Sequence, residues 1–352
     1  MPHTDTRLAL IHEWLARELG LDPERIETAS ADASFRRYFR VFRRGETLIV
    51  MDAPPDKEDV RPYLHVTRLL EQIGVHVPHV HAADEARGLL LLEDLGRTHY
   101  LSRLRAGADP EPLYGDALRA LADIQARGLE AARELGPYDR EPLERELLLM
   151  PEWFCARHLQ IELTTEEREL LAQTFEFLIA EALAQPQVFV HRDYHSRNLM
   201  VLPERNPGVL DFQDALRGPI GYDLVSLLKD CYIAWPRGRV ERWVRGYREL
   251  LAARGMAVGS DDREFLRWFD LIGVQRHIKV LGIFARLWHR DGKPGYLDDL
   301  PLTLDYVREA CTRYHELTEF ARFLERRIVP ELPVANARVA AELSRTAGAR
   351  HA

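Results

Sequence analysis

Apolar residues recur along this chain with two periods, and the change from one to the other divides it. In residues 7–19, Leu8, Ile11, Leu15 and Leu19 share one helical face, the charged residues lie elsewhere, and Gly20 ends the pattern. Ile26 to Val41 reads as strand, small-residue turn (Ser30 to Ser34), strand, and Thr47 to Met51 as a third strand. Val60 to Ile73 returns to helical spacing, with Val60, Tyr63, Leu64, Thr67, Leu70 and Ile73 near one stripe and Gly74 as its stop. Val77 to Ala83 predicts an edge strand with proline at its start. Four consecutive leucines, Leu89 to Leu92, predict a strand buried on both faces.

From about Gly96 the pattern turns helical. Leu113–Leu129, Arg145–Gln160, Thr165–Gln185, Tyr222–Trp235 and Val240–Ala253 all carry helix-spaced apolar residues. Tyr296–Tyr314 and Glu319–Glu331 follow the same rule, and the Ala- and Arg-rich end from Ala335 is expected to fray. The fold class expected is α+β and two-lobed: a sheet-bearing lobe over residues 1–95, a mainly helical lobe over 96–335, and a tail over 336–352. No period of 20 to 50 residues marks a repeat protein.

Asp261 to Arg290 is apolar nearly all round, and as one helix it would span roughly 40 Å and be buried on most sides. Gln275, Arg276, His277 and Lys279 interrupt it together. Buried cations need an anionic partner, which is either a protein carboxylate or a bound anion.

Composition narrows the classes. The 352 residues are 46% hydrophobic and 30% charged, as in an ordinary globular protein, and the formal net charge is -8. That balance offers no basic field for nucleic acid or an anionic membrane surface. No stretch approaches the ~20 uninterrupted apolar residues of a membrane helix. The start of the chain carries charges inside its apolar pattern and reads as no signal peptide. The three cysteines, Cys155, Cys231 and Cys311, are far apart without paired spacing, which suits reduced thiols and a cytoplasmic protein. Oligomeric state has no signature here.

The candidate chemistry lies in Val188 to Asp223. His191-Arg192-Asp193, four residues and Asn198 have the spacing of a phosphoryl-transfer catalytic loop. Val188–Val190 leads into the loop and Leu199–Leu202 leads out. The turn-rich Pro203 to Gly208 then reverses the chain through Val209 and Leu210. If Leu202 lies opposite Gly208, Leu199 faces Asp211 and Asn198 faces Phe212, so Asn198 and Asp211 emerge together at the open end of the hairpin. An amide oxygen and a carboxylate there could share a hard cation with phosphate oxygens, leaving Asp193 to accept a hydroxyl proton. Two other readings stay open. His191, Asp193 and His195 could be ligands of a zinc hydrolase, or the loop could be purely structural. The second leaves three carboxylates, Asp193, Asp211 and Asp214, close together without a cation.

HRDYHSRNL followed by VLDFQDALRGPIGYDL resembles the aminoglycoside phosphotransferase and choline kinase-like branch of the protein kinase superfamily. Within it the chain is similar to bacterial anomeric sugar kinases that phosphorylate N-acetylmuramate and N-acetylglucosamine at the C1 hydroxyl. The match runs over most of the chain and is tightest from Val188 to Asp230. The resemblance implies ATP and Mg²⁺ as cofactors, an amino sugar as substrate, Asp193 as base, Asn198 and Asp211 as metal ligands, and Asp223 as a buried brace. It also implies that the turn at Ser34 covers phosphates and that the backbone of Glu93 and Leu95, in Glu93-Asp94-Leu95-Gly96, meets the adenine edge.

The turn at 30–34 lacks the glycines of a phosphate loop, and Thr47 to Met51 lacks the lysine expected on it. Arg36, Arg37 or Arg40 could supply that charge, with Lys57 as a poorer substitute beyond two prolines. His195 and Asp214 are candidate sugar contacts, and Arg276 with His277 could read the sugar's carboxylate or hydroxyls. A kinase of the same fold acting on an aminoglycoside, choline or homoserine, and a nucleotide-binding pseudokinase, remain as alternatives.

Overall fold

A computed structural model describes residues 5–31 and 35–349. The chain forms two compact units. One comprises Met1–Gly128 with Ser196–Ala215, the other Leu129–His195 with Leu216–Ala352. The units therefore do not part at residue 95. Helices α3 (Tyr100–Arg105) and α4 (Pro110–Arg127) belong with the sheet, as does the segment carrying Asn198 and Asp211.

The first unit is built on an antiparallel sheet of β1 (Arg25–Ala31), β2 (Arg37–Arg43), β3 (Glu46–Asp52), β4 (Val80–Asp84) and β5 (Leu89–Glu93), in the order β1-β2-β3-β5-β4. The edge position of β4 and the burial of Leu89 to Leu92 in β5 follow the sequence pattern. Helix α1 (Thr6–Glu13) continues into a wider turn at Trp14–Glu18. Ile11, Trp14 and Leu15 there pack on Phe39, Val41, Val50, Leu89 and Leu91. Helix α2 (Arg61–Gln72) buries Tyr63, Val66, Thr67, Leu69 and Leu70.

The short hairpin of β7 (Leu199–Met200) and β8 (Gly208–Val209) docks on the same unit. Val209 N–H donates to the His76 carbonyl at 2.8 Å and Val201 N–H to that of Thr98 at 2.8 Å. At Gly208 a Cβ would stand 2.7 Å from Leu95 Cδ1 and 3.0 Å from Leu202 Cδ1, so a larger residue there would have to displace those side-chain ends.

In the second unit β6 (Gln187–Val190) pairs with β9 (Leu216–Pro219), and helices make up nearly all the rest. These are α5 (Arg140–Leu147), α6 (Thr165–Leu183), α7 (Tyr222–Leu228), α8 (Arg237–Ala252), α9 (Asp262–His289), α10 (Leu300–Cys311), α11 (Thr318–Phe323) and α12 (Glu331–Ala349). Helix α9 is the long apolar element, buried from Phe269 to Gly282. At Gly282 an added Cβ would meet the Leu149 backbone at 2.5 Å, so the crossing with the Met150–Leu159 helix depends on that glycine. The frayed tail expected from residue 336 is corrected: α12 continues to Ala349. Ala335 and Val339 are buried, and Asn336 Oδ1 lies 2.9 Å from His158 Nε2. An alanine-rich segment is a good helix former once one face finds a surface.

Candidate active site

Strand β6 delivers the chain to His191, where the backbone is held by α7. One Asp223 carboxylate oxygen accepts the His191 N–H at 2.7 Å and the other accepts the Arg192 N–H at 2.9 Å. Asp223 thus takes the bracing role that the resemblance implied, and burial pushes its pKa up to about 7. Arg192 takes a left-handed backbone, φ 76°, a costly conformation for a non-glycine residue that surrounding structure must impose. Asp193 follows, its N–H donating to His191 Nδ1 at 3.2 Å, while its carbonyl accepts the His195 N–H at 3.0 Å.

Burial alone would favour a neutral Asp193 carboxyl. His195, Lys279, Arg192 and His191 outweigh it and hold the pKa below the ordinary value, so the group is an anion able to accept a proton.

The remaining sugar-site candidates of this unit separate. The His195 ring meets Tyr232 edge-on at 5.5 Å, and Tyr232 leads through Phe284 to Tyr296. Arg276 is buried with its Nη1 3.8 Å from Cys231 Sγ; burial opposes its charge, which Cys231, Tyr222 and Asp193 favour. His277 is a correction. Its ring is 1% exposed, lies 2.9 Å from the Lys229 carbonyl and packs on Tyr306 at 4.9 Å. Burial and then Arg276 push its pKa down to about 3, which makes it a neutral core residue. On α9 it points to a different neighbour from Arg276 because adjacent helical residues never share a face.

Sequence reasoning noticed Lys279 but assigned it no partner, and it passed over Glu146. Lys279 Nζ lies 2.9 Å from Glu146 Oε1 and donates to Tyr222 Oη at 3.0 Å. Glu146 also pairs with the Arg192 guanidinium and accepts the Tyr138 hydroxyl. The cost of burying cations on α9 was the available signal, and the anion it demanded is this carboxylate.

In the other unit Asn198 and Asp211 meet, by a route other than the expected one. Leu199 pairs with Val209 and Met200 with Gly208, so the register is two residues off the expectation, and Asn198 accepts the Leu210 N–H at 2.9 Å. The cause is Asn206. Its Oδ1 accepts the Leu202 N–H at 3.0 Å, and its Nδ2 donates to Tyr100 Oη at 2.8 Å and to Asp116 at 2.7 Å, which enlarges the turn. Asp211 restores the meeting by leaving the strand conformation at φ 62°. Asn198 Nδ2 then stands 3.4 Å from Asp211 Oδ2. Gln213 Nε2 donates to Asp211 Oδ1 at 2.9 Å and reaches the exposed Asp214 at 3.3 Å. Phe212 packs on Tyr63, ring centroids 4.8 Å apart.

Of the three arginines offered for the absent strand lysine, two are committed. Arg37 pairs with Asp52 and Asp5, and Arg40 pairs with Asp94 and donates to the Gly96 carbonyl. Arg36 reaches Asp211, Nη2 to Oδ1 3.4 Å. Lys57 lies by the exposed Phe35 ring and Asp56. The Glu93 N–H donates to the His79 carbonyl at 2.8 Å, which leaves only its carbonyl for a ligand, and the Leu95 side chain is buried. Ser34 lies outside the described residues.

Magnesium keeps several waters and needs only one or two protein carboxylates beside substrate phosphates. A carboxylate beside a side-chain amide has that chemistry once the amide, whose Nδ2 faces Asp211 here, turns its oxygen to a cation, so the residue types of Asn198 and Asp211 fit it. Among the described residues no group of three or more His, Cys, Asp or Glu side chains could hold a metal ion. The zinc set of His191, Asp193 and His195 is therefore not formed.

A family model described as the phosphotransferase enzyme family matches residues 25–269. The chain belongs to the phosphotransferase enzyme family. An N-acetylmuramate/N-acetylglucosamine kinase of Pseudomonas aeruginosa is 48% identical over 86% of this chain and 88% of its own length. A protein of the same description from Pseudomonas putida is 43% identical over 92% of this chain and 97% of its own. The ADP-bound aminoglycoside phosphotransferase APH(2'')-Ib shares the fold at TM-score 0.56, with 14% identity, over 86% of this chain and 98% of its own. The fold of this phosphotransferase is accordingly kinase-like, an N-terminal antiparallel sheet followed by a mainly helical part.

Proposed function

We propose that the chain is an ATP-dependent kinase that phosphorylates the C1 hydroxyl of N-acetylmuramate or N-acetylglucosamine, in the cytoplasmic recycling of cell-wall sugars. The observation that carries this reading is Asp193, an anion kept ionised by surrounding cations on a loop braced by Asp223, in a chain 48% identical to a kinase of those two sugars. Asp193 Oδ takes the hydroxyl proton and aims the sugar oxygen at the γ-phosphorus. An anomeric hydroxyl is more acidic than an ordinary alcohol, so a carboxylate with a low pKa suffices.

Asn198 and Asp211 would hold Mg²⁺, which supplies positive charge against the nucleotide's phosphate oxygens. Arg36 adds the cation that β3 lacks, and the Ser34 hydroxyl is a phosphate donor. The Glu93 carbonyl and the Leu95 N–H take the adenine edge. His195 and Asp214 bind sugar hydroxyls. Arg276 offers its charge to the lactyl carboxylate of N-acetylmuramate, a preference that cationic aminoglycosides or choline would not share.

The test is ADP release by the purified protein with ATP, Mg²⁺ and a panel of sugars. The expected result is release dependent on N-acetylmuramate or N-acetylglucosamine and abolished in Asp193→Asn. Release with choline or an aminoglycoside but neither sugar would overturn the substrate. Nucleotide binding without turnover would overturn the enzyme.

A further inference from the structure

Glu146 is buried, 6% exposed, and four donors converge on its carboxylate. The Arg192 guanidinium and Lys279 Nζ share Oε1; the Tyr138 hydroxyl and, at 3.4 Å, Gln275 Nε2 reach Oε2. These donors come from three places: the segment before α5, the loop carrying Asp193, and α9. Burial raises the pKa of such a carboxyl, yet Lys279 and Arg192 bring it below the ordinary value, so the centre of the cluster is an anion.

Arg192 is the residue that needs holding. Its φ of 76° is disfavoured for any side chain with a Cβ, and it stands immediately before Asp193. Its backbone is fixed by Asp223 and its side chain by Glu146, with the guanidinium 5.5 Å over the Tyr138 ring. Were Arg192 to relax to negative φ, the peptide plane leading into Asp193 would rotate and the carboxylate would leave its bearing.

We propose that Glu146 is a positioning residue for phosphoryl transfer: by gripping Arg192 against Lys279 it imposes the left-handed backbone that aims Asp193. The inference rests on the sugar-kinase reading of Asp193. Glu146 touches no reacting atom, so its loss acts on turnover and leaves substrate affinity nearly intact. Glycine adopts φ near 76° at no cost and needs no grip. The ion pair and the strain are therefore linked, and a glycine at 192 makes Glu146 dispensable.

The experiment measures kcat and KM for N-acetylmuramate in the wild type, Glu146→Gln, Arg192→Gly and the double variant, with a thermal melt of each. Expected are a loss of about a hundredfold in kcat with KM within about threefold for Glu146→Gln, and a double variant at least about tenfold faster than Glu146→Gln. A double variant as slow as Glu146→Gln, or slower, overturns the proposal, as does a Glu146→Gln enzyme with wild-type kcat. If Glu146→Gln does not fold, Arg192→Gly and the double variant decide the matter: equal kcat supports the proposal, and a further tenfold loss in the double contradicts it. A wild type inactive on both sugars would instead refute the kinase reading, a separate failure.

Discussion

Two residues, Arg192 in one unit and Asp211 in the other, share one unusual backbone, φ 76° and φ 62°, and are secured by different partners. At Arg192 the His191 and Arg192 N–H groups donate to Asp223 at 2.7 and 2.9 Å, and the guanidinium pairs with Glu146, with a lysine behind it. Around Asp211, Arg36 and Asn198 each stand 3.4 Å away and Gln213 donates at 2.9 Å. Under the proposed function, the loop that carries the base is held by the protein's own carboxylates, Asp223 and Glu146, whereas the proposed metal carboxylate sits among side chains, Arg36, Asn198 and Gln213.

Substitutions can break or sharpen that contrast. Asp193→Asn should reduce kcat by about a thousandfold, the usual worth of a positioned base, with a melting temperature near that of the wild type. Asp211→Asn should cost about a hundredfold at fixed Mg²⁺ and raise the Mg²⁺ concentration needed for half-maximal rate; an unchanged Mg²⁺ dependence would remove Asp211 from the metal site. Arg36→Ala should raise KM for ATP about tenfold with kcat less affected, and Arg36→Lys should recover part of it. An Arg36→Ala enzyme with unchanged KM would show that Arg36 serves only to neutralise Asp211.

The effect of His277 falls on stability and not on turnover. Its folded pKa of about 3 lies below the unfolded value near 6.5, so the unfolded chain binds the proton first. Stability from this residue is complete above pH ~6.5 and falls as pH drops toward 3, by about 2 kcal/mol at pH 5. His277→Gln, which keeps a donor for the Lys229 carbonyl, should lose that slope in melts between pH 7 and 5.

Much of this was legible in the sequence, because local rules and tertiary demands agree there. Leu89 to Leu92 announced a doubly covered strand, and the spacing from His191 to Asn198 announced the loop. The hairpin register was not legible, since Asn206 reads as an ordinary turn residue and its grip on Tyr100 and Asp116 is long-range. The sequence also could not divide α9. Gln275, Arg276, His277 and Lys279 look alike as polar breaks in an apolar run, and only three-dimensional neighbours separate a core imidazole from a lysine paired with Glu146. The last helix was missed for the same reason: its buried face depends on His158, which is remote in sequence.

The central claim is transfer to the anomeric oxygen, and the reducing end of the sugar reports it directly. Phosphate on C1 blocks ring opening, so the account predicts that reducing-sugar signal from N-acetylmuramate or N-acetylglucosamine disappears in step with ADP formed, one for one. ADP accumulating while the reducing end stays intact would contradict it.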